Sequence, residues 1–207
     1  MGRSPSDIGT RIVHAARRRF LLEGVDGASL RGIARDAKTS IGMIYYYFPA
    51  KNDLFLAVVE EIYVALLADL ESRLDRARPV RERIRLLYER LGALSESEKQ
   101  VLRLVVREAL ASRDRLESLI DRFQRGHLPL VFQLVKDGTS EGLFRTDLPS
   151  ALILGALMAI GGPAQMVLGI AERHLPSRAL PRAPERVKTL VDILLTGIGG
   201  AGRMRQR

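Results

Sequence analysis

Between Ser29 and Lys51 the sequence SLRGIARDAKTSIGMIYYYFPAK holds two short apolar-periodic segments joined by a polar turn. Helices this short do not persist alone in water, because nucleation costs more than a few backbone hydrogen bonds return. They must therefore pack on each other and on a third element. Leu30, Ile33, Ala34 and Ala37 fall on one face of the first segment, and Ile44 and Phe48 share a face of the second. Ser29 and Ser40 stand where N-caps are needed. Upstream, Ile8, Ile12, Ala15, Ala16 and Phe20 recur at helical spacing until Gly24 and Gly27, with Ser4-Pro5-Ser6-Asp7 as a start signal. The three segments predict a helix-turn-helix unit, whose small Ala34 allows a steep crossing over a short turn.

Helix signals continue beyond it and strand signals are nearly absent. The spacing predicts a long helix from Pro49-Ala50 to about Arg76, a fifth opened by Pro79, and a sixth from about Ser97 to Ser112. A seventh is expected over Leu116 to Gly138 with a kink at Pro129, then helices over Ser150 to Arg173 and Pro184 to Gly197. The link LPSRALPRAP reads as irregular and the end GGAGRMRQR as frayed. The expected architecture is all-α: an N-terminal three-helix head at 1–50 and a larger C-terminal helical domain at 51–207.

Charge points to a polyanionic partner for the head. Residues 1–51 carry nine Lys or Arg against four Asp or Glu, a large part of the chain's net charge of +9. The absence of cysteine excludes disulfides, thiol catalysis and cysteine-ligated zinc. His14, His127 and His174 are isolated, with no metal spacing, phosphate loop or nucleophile elbow, so neither enzymatic activity nor a metal or other cofactor is expected. The opening MGRSPSDIGTRIVHAARRRF has no apolar signal-peptide region, which points to the cytoplasm.

The run IARDAKTSIGMIYYYFPAKNDLF, extended back through Ile12, Ala15, Ala16, Phe20 and Gly24, resembles the signature of the TetR family of transcriptional repressors. The resemblance covers roughly the first 55 residues at residue level; beyond them only length and helix order match. It implies that Tyr45 and Lys51 contact DNA phosphates, assisted by the amides at the helix start capped by Ser29 and at the start of the fourth helix. It also implies that Met43 and Tyr46 can face base edges, with Gly42 permitting close approach. The alternative is that Tyr45, Tyr46 and Tyr47 pack together, Tyr47 foremost.

Three positions depart from the family pattern. Lys38 replaces the usual turn glycine, at a cost on the order of 1 kcal/mol if its backbone is left-handed, though its ammonium can reach a phosphate. Thr39 replaces an apolar residue, and Ala50 replaces a serine cap worth roughly 1 kcal/mol. The recognition helix also lacks Arg, Asn and Gln for bidentate base contacts. Modest readout through Ser40, Ile41, Met43 and Tyr46 is therefore expected, helped by DNA shape and by Arg3 or Arg11 in a minor groove.

Ala151 to Ala171 is uncharged over about one membrane-spanning length. Gly161-Gly162-Pro163, Gln165 and the lack of an aromatic belt favour a helix buried on all sides instead. The resemblance implies that this helix, through Ala151, Gly155 and Ala159, joins Val187, Leu190, Val191, Leu194 and Ile198 of the last helix in a four-helix homodimer interface. It further implies a small-molecule effector that releases double-stranded DNA. Candidate pocket residues are Tyr88, Glu108, Phe123, His127, Met158, Gln165 and Met166, each with a competing reading as core or interface. The rival functions are a helical protein-interaction module and a membrane-associated protein with no DNA role.

Overall fold

In a computed structural model, residues 5–172, 174 and 180–197 are described, and they form eleven α-helices and one π-helical turn with no strand among them. Two compact units result, one from residues 1–67 and 95–124, the other from 68–94 and 125–207. Helix α4 (Lys51–Arg73) runs from the first into the second. The first unit thus includes, besides the expected head, the start of α4 and the helices α6 (Glu96–Ala111) and α7 (Arg113–Gln124).

In the first unit, α1 (Pro5–Gly27) presents Ile12, Ala15, Ala16 and Phe20, all fully buried. They pack in one core with Ile33 and Ala34 of α2 (Leu30–Asp36), Ile44 of α3 (Ile41–Tyr47) and Leu54, Phe55 and Val58 of α4. Val101 and Leu104 of α6 and Leu119 of α7 belong to the same core. Gly24 does not end α1 but kinks it, with φ 78°. That left-handed backbone suits glycine. It also leaves helical carbonyls and an amide without their usual partners, and α6 supplies replacements. Arg107 donates to the carbonyls of Phe20 and Leu21, and Glu108 Oε1 accepts the Val25 N–H at 3.2 Å.

The second unit is built on α5 (Val80–Gly92), which buries Val80, Ile84, Leu87 and Tyr88. Around it stand α8 (His127–Ser140), α9 (Ser150–Ala159), a π turn (Ile160–Ala164), α10 (Gln165–Ala171) and α11 (Ala183–Thr196). The expected helix over 116–138 is two helices, broken at Arg125-Gly126 rather than at Pro129. Pro129 is the third residue of α8, where its missing N–H costs no intrahelical bond. Arg83, buried, donates to Asp137 at 2.8 Å. Burial would raise the Asp137 pKa, but hydrogen bonds from Gln133 and Arg83 and the nearby Arg76 charge outweigh it and lower the value.

The apolar segment 150–171 is long and apolar enough to cross a membrane by length and composition. Its interior holds the π turn, where Gly161 lets the Tyr88 ring approach: a Cβ there would lie 2.7 Å from Tyr88 Cε1. The Tyr88 hydroxyl donates to the Leu157 carbonyl at 3.1 Å, and the buried Gln165 amide donates to the carbonyls of Tyr88 and Gly161 at 2.9 and 2.8 Å. Within the single chain only one side of this segment is covered, and the other is left for a second partner. Leu152, Ala156, Ala159, Pro163, Val167 and Ile170 are exposed and recur every three or four residues, a continuous apolar ridge.

Candidate nucleic-acid interface

The turn between α2 and α3 is a Schellman closure built on a lysine. Lys38 N–H donates to Arg35 O and Thr39 N–H to Ala34 O, at 3.1 and 3.0 Å. Closing it this way puts Lys38 at φ 53°, the one left-handed non-glycine among the described residues. Lys38→Gly is expected to stabilise the protein by about 1 kcal/mol in urea unfolding. If Lys38 also reaches a phosphate, the same variant binds duplex DNA less tightly, with a shallower salt dependence.

Local capping fixes both short helices as anticipated. Ser29 Oγ accepts the Gly32 N–H at 3.4 Å and Ser40 Oγ accepts the Met43 N–H at 3.2 Å. Ala50 gives no side-chain cap to α4, but Asp53 Oδ2 accepts the Ala50 N–H at 2.9 Å, supplying the reciprocal half of a capping box. Thr39 is half-buried, and its N–H closes the turn.

On α3 only Ile44 is fully buried. Tyr47 is half-buried on the core, resting against Gly9 of α1 and edge-on to Tyr46. Only Tyr47 packs on the core: Tyr46 meets its ring edge-on but is 77% exposed, and Tyr45 is 53% exposed. Ile41 and Gly42 are also exposed and Met43 is half-buried, so α3 offers an apolar and phenolic face with no guanidinium or amide group. At its end Lys51 Nζ donates to the Asp26 carbonyl at 2.9 Å. A lysine ammonium has three donors, so this neutral contact fixes the side chain and leaves charge and donors to offer.

Two basic residues counted in the charge of the head were not singled out as contact residues. Arg31 and Arg35 lie four apart on the exposed face of α2, opposite the buried Ile33, Ala34 and Ala37. That spacing was the available signal. Arg11, proposed for a minor groove, pairs with Asp7 at 3.7 Å, and Arg3 lies outside the described residues, as does Ser4.

The proposed effector residues are divided between the two compact units. Glu108 and Phe123 belong to the first compact unit, Tyr88, His127, Met158, Gln165 and Met166 to the second. Glu108 and Gln165 are occupied with backbone groups, Phe123 stacks obliquely on Tyr63 at 5.4 Å, and Tyr88 is fully buried, which pushes its phenol pKa up. His127, Met158 and Met166 are half-buried. Two grooves, of about 420 Å³ between α5 and α11 and about 310 Å³ between α1 and α6, are lined by none of these seven.

The proposed dimer residues also divide. Ala151, Gly155 and Ala159 are exposed, with open space where a Gly155 Cβ would stand. Val187, Leu190 and Val191 are instead buried within their own unit, where α11 packs on α5, and Leu194 is half-buried. Ile198 lies outside the described residues. The α11 stripe is thus chiefly internal.

Comparison with known proteins agrees with this head. Residues 12–58 match the domain described as "Bacterial regulatory proteins, tetR family". The HTH-type transcriptional repressor NicS of Pseudomonas putida is 42% identical over 69 residues, 33% of this chain and 32% of that protein. An HTH-type transcriptional repressor of Streptomyces coelicolor is 26% identical over 172 residues, 80% of this chain and 82% of that one. The chain spans from about a third to somewhat over half the length of the first curated relatives it matches. Among solved structures, the transcriptional regulator FadR from Bacillus subtilis, in complex with stearoyl-CoA, shares the fold with a TM-score of 0.71 at 18% identity, over 92% of this chain and 99% of that one. A helix-turn-helix with capped α2 and α3, exposed tyrosines on α3 and this domain match identify residues 12–58 as a domain of the tetR family of bacterial regulatory proteins.

Proposed function

We propose that the chain is a ligand-responsive transcriptional repressor that binds a palindromic operator as a homodimer in the cytoplasm. The observation that carries this reading is the pairing of the exposed Tyr45 and Tyr46 on a capped α3 with Lys51 fixed at its end. Tyrosine hydroxyls and a lysine ammonium suit phosphates, while Ser40, Ile41, Gly42, Met43 and Tyr46 form the surface able to meet base edges. Lys38, Arg31 and Arg35 add positive charge to the same head. A small-molecule effector fits the family and the acyl-CoA complex of the FadR neighbour. It would act by favouring a conformation in which the two heads no longer match the half-site spacing.

The exposed ridge of α9, the π turn and α10 supports self-association through Ala151, Gly155 and Ala159 together with Leu152, Ala156 and Val167. A membrane-spanning reading fits the segment less well, because Gln165 donates to the Tyr88 carbonyl of α5 and the π turn packs on α5. Binding to a duplex selected from random sequence tests the function. Tyr45→Ala with Lys51→Ala is expected to lose at least about tenfold in affinity at moderate salt and to flatten the salt dependence by about two phosphates' worth, one for the Lys51 of each protomer, the neutral tyrosine adding nothing to the slope. Unchanged binding would refute the phosphate roles.

A further inference from the structure

Lys51 is not held by the head alone. The Asp26 carbonyl that accepts its ammonium belongs to a residue just past the α1 kink, whose carboxylate is 78% exposed. Both oxygens of that carboxylate are taken by Arg115 of α7, at 2.9 and 2.6 Å. Behind it, Arg115 Nε pairs with Glu108 Oε2 at 3.0 Å, and Glu108 is itself buried while accepting from Val25. Arg115 lies outside residues 12–58, where the family match ends.

An exposed carboxylate on the residue that holds Lys51 is a competitor for DNA. Left uncovered, it would draw the ammonium onto itself and repel an approaching phosphate. The neutral carbonyl of the same residue orients the ammonium without cancelling its charge. An exposed aspartate is ionised at neutral pH, and the paired hydrogen bonds from Arg115 lower the Asp26 pKa further, so protonation does not quiet the carboxylate.

We propose that Arg115 is a positioning residue for DNA binding: by occupying both oxygens of Asp26 it keeps Lys51 on the Asp26 carbonyl, with its charge available to a phosphate. Glu108 fixes the guanidinium in that task. This inference rests on the DNA-binding reading above.

The test uses the full chain and a duplex selected by the wild-type protein, with affinity read by fluorescence anisotropy across salt concentrations. Arg115→Gln is expected to weaken binding by about tenfold and to lower the salt slope by about one. Adding Asp26→Asn should restore most of the affinity and the slope, since it removes the competing carboxylate. A merely structural role for Arg115 would not be rescued at an exposed partner. No loss in Arg115→Gln, or a loss that Asp26→Asn does not recover, overturns the proposal. Should Arg115→Gln not fold, Arg115→Lys carries the same comparison with a smaller loss. A wild-type protein that selects no duplex would overturn the DNA-binding reading itself, and this proposal with it.

Discussion

Leu152→Glu combined with Val167→Glu is expected to convert a dimer into a monomer and to lower affinity for a palindromic duplex by about a hundredfold or more. The side chains are 65% and 61% exposed, so the carboxylates cost the fold of the second unit little. In a dimer the same carboxylates would be forced into an apolar contact, facing their symmetry mates as like charges. The loss in DNA affinity follows because two tethered heads bind the second half-site at high local concentration, whereas a monomer has one. Size-exclusion chromatography with light scattering, in buffer without detergent, reads the association state. A variant that stays dimeric would move the interface elsewhere, and a wild-type protein that needs detergent would favour the membrane-associated alternative.

The head was legible because its determinants are local. Ser29 and Ser40 cap within three residues, Ile33 and Ile44 point inward by simple periodicity, and the left-handed backbone at Lys38 follows from the length of the turn. The helix order of the rest was legible for the same reason, with one failure of local reasoning. Pro129 is the stronger breaker in an alphabet of residues, yet at the third position of α8 it breaks nothing, while Gly126 opens the chain two residues after α7 ends.

The part beyond the head was harder because its polar residues serve backbone groups distant in sequence. Gln165 stood as a ligand candidate with a competing reading as a satisfied core residue, and its amide does satisfy the Tyr88 carbonyl, 77 residues away. A stripe such as Val187, Leu190 and Val191 announces burial without saying whose surface covers it, and the covering here is α5 of the same chain. Gly24 read as a stop signal because the side chains that sustain its kink come from α6.

Glu108→Ala is expected to destabilise the protein by about 3 kcal/mol, a large share of the stability of a domain this size. The carboxylate accepts from Val25 and pairs with Arg107 and Arg115, all around a backbone kink that has no other acceptor for that amide among the described contacts. Truncation leaves a buried N–H without a partner and loosens two guanidiniums at once. Glu108→Gln keeps an oxygen for Val25 and gives up charge, so its cost should be about half as large, near 1–2 kcal/mol. Urea unfolding of the two variants measures the difference. A pocket residue would behave in the opposite way, leaving stability nearly untouched while changing the concentration of effector needed to release DNA. Because Glu108 also fixes Arg115, the alanine variant should lose DNA affinity even at temperatures where it is fully folded. Effector response altered in a protein of wild-type stability would return Glu108 to the ligand site.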